Sequence, residues 1–160
     1  YKRQVLALLE TAGGDPLDEV RPAASGEFLW DELWVDDVDA AGVFYSAVLP
    51  YSREERSMVE DQYSVDYLVL AAAGRPRAGI RTKPGHDLPS TWISYLSVAD
   101  QREMDVILAK VEALGGTVLV PATPRPAGGV VALIEDPSGA GIALQTWPLR
   151  QEVAEQGDRQ

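Results

Sequence analysis

Glu32 stands between two tryptophans in the run Trp30-Asp31-Glu32-Leu33-Trp34. Side chains alternate along an extended strand, so Trp30, Glu32 and Trp34 share one face if this run is a strand. A carboxylate held among indoles is a candidate general base, and Tyr95 is a phenol able to polarise a carbonyl. These two are the candidate catalytic residues. The same alternation puts Ile93, Tyr95 and Ser97 on one face, and Ala143, Gln145 and Trp147 on another. Apolar walls carrying a few polar groups suit a pocket for a flat or amphipathic small molecule. The candidate ligand-binding set is therefore Trp30, Glu32, Trp34, Ile93, Tyr95, Ser97, Ala143, Gln145 and Trp147. Two plainer roles compete with it: the aromatics fill a core, and Glu32 is anchored to Arg77 or Arg81 on a nearby strand.

Other chemistries lack material. The chain has no cysteine, which removes thiolate nucleophiles, disulfides and Cys-based metal sites, and it has one histidine, His86. Ala12-Gly13-Gly14-Asp15 and Pro126-Ala127-Gly128-Gly129 have neither the strand-to-helix context nor the lysine that phosphate cradling needs. Ser138 is a turn former with no histidine in a predictable relation to it. Fourteen Lys and Arg against 25 Asp and Glu give a net charge of −11. That sign opposes nucleic acid and anionic lipid, which need clustered cations. No apolar run reaches the roughly 20 residues of a bilayer span, and the N-terminus lacks the order of a signal peptide. A cytoplasmic location is the expectation.

The elements that must position these residues are written twice. Residues 28–35 alternate as a strand, Asp36-Asp37 offers an N-cap, and Val38, Ala41, Phe44, Tyr45 and Val48 recur at helical spacing before Pro50. Turn-punctuated segments follow from Tyr51, with strands at residues 63–72 and 77–82 and a turn at Ala73-Gly74-Arg75-Pro76. The second copy opens with a strand at residues 91–98. Asp100 and Glu103 form a capping box, Met104, Ile107, Leu108, Val111 and Leu114 a helical stripe, and Gly115-Gly116 a stop. Strands at 117–120, 130–134 and 141–147 follow, the last two joined by Asp136-Pro137-Ser138-Gly139. Val98 and Asp100 thus repeat the places of Val35 and Asp37. A strand–helix–three-strand unit has one apolar sheet face, which a second copy can bury. The fold class expected is α+β: paired βαβββ units forming a cup-like half-barrel with helices outside.

The run LWVDDVDAAGVFYSAVL, the helix end Val111-Glu112-Ala113-Leu114-Gly115-Gly116 and the turn Asp136-Pro137-Ser138-Gly139 together resemble the glyoxalase/bleomycin-resistance/extradiol-dioxygenase superfamily, the vicinal oxygen chelate proteins. The resemblance covers about residues 28–148, with units at about 28–84 and 90–148. It implies that residues 1–15, where Leu6-Ala7-Leu8 is echoed by Ile142-Ala143-Leu144, are the closing strand of a preceding or exchanged module. Residues 16–27 are then a linker and 149–160 a solvated tail. Tyr1 is not an initiator Met, so a processed or cut-down piece of a longer protein is expected.

Metal-dependent members of that superfamily draw His, Glu or Gln ligands from the first and last strands of each unit. The corresponding places here hold Trp30, Gly79 or Ile80, Ile93 and Ala143, none with a donor side chain. Glu32, Gln145 and His86 are scattered substitutes. No cofactor and no metal ligand set is therefore expected. The resemblance implies a small-molecule-binding domain of the metal-free, bleomycin-resistance-like branch, with a small organic ligand and a homodimer, or association through the N-terminal strand, as partners. Two alternatives stand beside it: a metal-dependent lyase or dioxygenase with displaced ligands, and an interaction module whose cup is filled by its own side chains.

Overall fold

The computed structural model describes residues 23–60, 63–85, 87–125 and 129–146. The expected strand at residues 1–15, the tail at 149–160, His86 and Trp147 lie outside them. The described chain is α+β, with the strand–helix–three-strand order occurring twice: β1 (Phe28–Val35), α1 (Val38–Val48), β2 (Ser52–Glu60), β3 (Tyr63–Ala72) and β4 (Arg75–Thr82), then β5 (Thr91–Val98), α2 (Gln101–Ala113), β6 (Thr117–Pro124), β7 (Val130–Glu135) and β8 (Gly141–Thr146). It divides into two compact units, one through Leu96 and one from Ser97.

In the first unit β1 is central. It pairs in parallel with β4, Glu32 beside Gly79 and Leu33 beside Ile80. On its other side β5 runs antiparallel, Trp30 opposite Tyr95 and Glu32 opposite Ile93. β3 continues the sheet beyond β4, and β2 beyond β3. Alternation sorts this sheet into two chemically different faces. One buries Leu33, Leu68, Leu70, Ala78 and Ile80, against which Val38, Ala41 and Tyr45 of α1 pack, with Val35, Tyr51 and Trp92 at the margins. The opposite face carries Glu32 and its neighbours.

Helix α1 starts where Asp37 accepts the Ala40 amide at 2.9 Å, satisfying a backbone donor left open at the helix start. Only part of its expected apolar stripe is covered: Phe44 and Val48 are each 58% exposed. The covered stripe is narrower than expected: Val38, Ala41 and Tyr45 pack on the sheet, and Gly42, the buried residue of the helix, lies against Leu68. β2 lies in what the sequence presents only as turn-punctuated chain. Its Ser52-Arg53-Glu54-Glu55 start is polar and exposed, so burial leaves no period there to read. The turn after β3 is also tighter than the four residues expected. Ala73 and Gly74 alone form it, at φ 51° and 73°, the mirror-image geometry that suits a two-residue hairpin. Arg75 and Pro76 consequently join β4, opposite Ala72 and Ala71.

In the second unit α2 packs on β6, β7 and β8, which form an antiparallel meander. Its start is close to the expected capping box: Asp100 accepts the Glu103 amide at 2.8 Å, while the Glu103 carboxylate reaches one residue further back than the cap, to the Ala99 amide at 2.7 Å. Its end is a Schellman motif, with Gly116 N donating to Val111 O and Gly115 N to Glu112 O. Gly115 sits at φ 82°, the left-handed geometry that motif requires. Met104 is fully buried on the helix's inner side, while Leu114, expected in the stripe, is the C-cap and 77% exposed. β6 runs four residues further than expected, through Pro124.

Candidate functional site

Glu32 is 0% exposed although it is a carboxylate. Burying such a charge is costly unless hydrogen bonds replace water. Two do so at one oxygen. The Tyr95 hydroxyl donates to Glu32 Oε2 at 2.7 Å, and Trp34 Nε1 donates to the same atom at 2.8 Å. Both are charge-assisted bonds, about twice as strong as neutral ones. Register explains the convergence: Tyr95 lies diagonally across the β1–β5 ladder from Glu32, within reach of a long side chain, and Trp34 lies two residues along the same face.

Beside this cluster, Trp30 Nε1 donates to the Tyr67 hydroxyl at 3.1 Å. Tyr67 comes from β3, two strands from β1, so its arrival needs the sheet order and is invisible in local sequence. Gly79 on β4 makes room for it. A Cβ there would overlap the Tyr67 hydroxyl and come within 2.6 Å of its Cζ and 3.1 Å of Trp30 Nε1. A glycine inside the strand run Arg77-Ala78-Gly79-Ile80 was the available signal of a close approach. Arg81, buried at 8% exposure, and Val69 complete this face.

Of the expected ligand-binding residues, Trp30, Glu32, Trp34, Ile93 and Tyr95 meet on one face of the first unit. Ile93 and Tyr95 are buried, while both indoles are half-buried. At Oε2 the carboxylate is held by Tyr95 and Trp34, two partners beyond the arginines expected from sequence. Ser97, Ala143 and Gln145 are buried in the second unit. There Gln145 Oε1 accepts a hydrogen bond from Arg125 at 2.8 Å, a partner that sequence reasoning missed.

The chemistry open to Glu32 and Tyr95 follows from these bonds. A phenol has one proton to donate, and Tyr95 directs it at Glu32. Polarising a substrate carbonyl would require breaking a buried, charge-assisted bond. A divalent ion fits this face poorly. Among the described residues no three His, Cys, Asp or Glu side chains gather as a ligand group, and on this face Trp30, Gly79 and Ile93 bring no donor side chain suited to a metal.

Sequence comparison supplies relatives. The candidate glyoxylase CFP32 of Mycobacterium bovis is 32% identical over 116 residues, 72% of this chain and 42% of its own length. The structure superposes on methylmalonyl-CoA epimerase of Mycobacterium tuberculosis with a TM-score of 0.54 at 15% identity, over 82% of this chain and 94% of that one. The chain belongs to the glyoxalase/bleomycin-resistance/extradiol-dioxygenase superfamily. Within that superfamily's fold, the Mn(II)-bound glyoxalase of Novosphingobium aromaticivorans superposes with a TM-score of 0.50 at 20% identity, over 76% of this chain and 39% of that one. The anthracycline biosynthesis protein DnrV of Streptomyces peucetius is 25% identical over 135 residues, 76% of this chain and 47% of its own length. The chain thus spans less than half the length of these two sequence relatives. No family model matches it. Among the described residues no helix is long and apolar enough to cross a membrane.

Proposed function

We propose that this superfamily domain binds a small organic molecule against the Glu32 face of its first sheet, and that binding needs no divalent metal. The observation that carries the reading is the buried Glu32 carboxylate holding Tyr95 and Trp34. A domain with nothing to bind has little reason to bury a carboxylate and then use it to orient an indole left half-exposed. The face offers aromatic surface with few free donors, which suits a flat, amphipathic compound. A relative named for anthracycline biosynthesis supports an organic ligand. On this reading Glu32 and Tyr95 act as positioning groups for the wall.

The test is a Trp-fluorescence titration with flat aromatic compounds, an anthracycline among them, on protein stripped with chelator. Saturable quenching that weakens at least about tenfold in Trp34→Leu, the loss of one stacked aromatic contact, supports the proposal. Equal titration curves for the two proteins would overturn it. A second reading, a metal-dependent lyase, is favoured by the relative bearing a glyoxylase name. It predicts near-stoichiometric metal by elemental analysis and a melting temperature that climbs with added Mn(II) or Ni(II).

A further inference from the structure

We infer that Tyr67 is a positioning residue for the ligand-facing indole of Trp30, and that Gly79 is the position that permits it. The inference rests on the binding reading above. An indole has one N–H, and Trp30 spends it on the Tyr67 hydroxyl at 3.1 Å. With the donor fixed, ring rotation is fixed too, so what the half-buried ring presents is its aromatic surface. Tyr67 and Gly79 lie diagonally across the β3–β4 ladder, Tyr67 opposite Arg81 and Val69 opposite Gly79. The phenol leans back over Gly79 into the volume a side chain there would need, since any Cβ would overlap its hydroxyl. Gly79 also neighbours Glu32 in the parallel ladder. Tyr67, Trp30 and Gly79 therefore form one corner of the same wall, directly beside the Glu32 cluster. A side chain at residue 79 would have to displace the Tyr67 phenol from the place it holds, so the aromatic wall occupies the volume that a ligating side chain there would need.

Tyr67→Phe deletes the hydroxyl and keeps the ring, and Gly79→Ala displaces the phenol from the other side. Ultraviolet resonance Raman, which reports indole N–H hydrogen bonding, is read on both with Trp30→Phe as reference. Titrations with 2-naphthol and proflavine follow Trp fluorescence. Tyr67→Phe is expected to lose the hydrogen-bonded indole signal that Trp30→Phe removes, and to weaken probe binding roughly five- to tenfold, the worth of one hydrogen bond. In a Trp30→Phe background Tyr67→Phe is expected to add nothing, because the two act as a unit. An unchanged Raman signal in Tyr67→Phe overturns the inference, as does an undiminished effect in the Trp30→Phe background. If the wild-type protein binds neither probe, the binding reading fails and the ligand-side role fails with it, whereas a Raman failure leaves that reading standing.

Discussion

Removing the Glu32 carboxylate takes the acceptor from two donors at once, the buried Tyr95 hydroxyl and the half-buried Trp34 indole N–H. A stranded buried donor costs about 1–3 kcal/mol. Glu32→Ala is therefore expected to destabilise the protein by about 3 kcal/mol in urea unfolding, and Glu32→Gln, which keeps an acceptor oxygen, by about 1 kcal/mol. Equal losses would mean that the charge, and not the acceptor, is what matters. The alternation Trp30, Glu32, Trp34 was legible because strand period is a property of the chain alone. Tyr67 was not, since it reaches Trp30 across β4 and only sheet order brings it there. The Tyr95 partner of Glu32 was not legible either, since sequence shows charges but not that the diagonal neighbour on β5 is a phenol.

At the scale of elements, caps and turns read most easily because each is a local device. Asp100→Ala removes the acceptor for the Glu103 amide and is expected to cost about 1 kcal/mol, measurable by thermal unfolding. The turn between β7 and β8 adds a pH signature. Asp136 Oδ1 accepts the Ser138 hydroxyl at 2.6 Å, the Ser138 amide at 2.8 Å and the Ala140 amide at 2.9 Å. The Ser138 hydroxyl first, and then the Ala140 amide, hold this carboxyl below its ordinary value of 3.8. A folded-state value below the unfolded one gives stability that is present above pH 3.8 and lost as pH falls through the folded value. Asp136→Asn is expected to lose that contribution at neutral pH and to show a shallower acid transition than wild type. Parallel acid transitions would contradict the role. β2 was illegible for the opposite reason: its polar, exposed start carries no burial pattern, and only pairing with β3 makes it a strand.

For the whole molecule, the doubled order of elements was legible because cap, stop and turn recur at matching places, and the described chain carries that order twice. Charge is the other global property. At −11, repulsion among carboxylates outweighs exposed pairs such as Arg53–Asp39 at 3.0 Å, whose aspartate is 84% exposed. Raising ionic strength from about 0.01 M to about 0.15 M shortens the screening length from about 30 Å to about 8 Å, so the melting temperature is expected to rise. A fall would mean that attractive pairs dominate. The central claim, a metal-independent aromatic wall, is tested most directly by calorimetric titration of one quenching compound into chelator-treated protein and into the same protein reloaded with Mn(II). Equal affinities in the two samples are the predicted result. Binding that appears only after Mn(II) is restored would contradict the account.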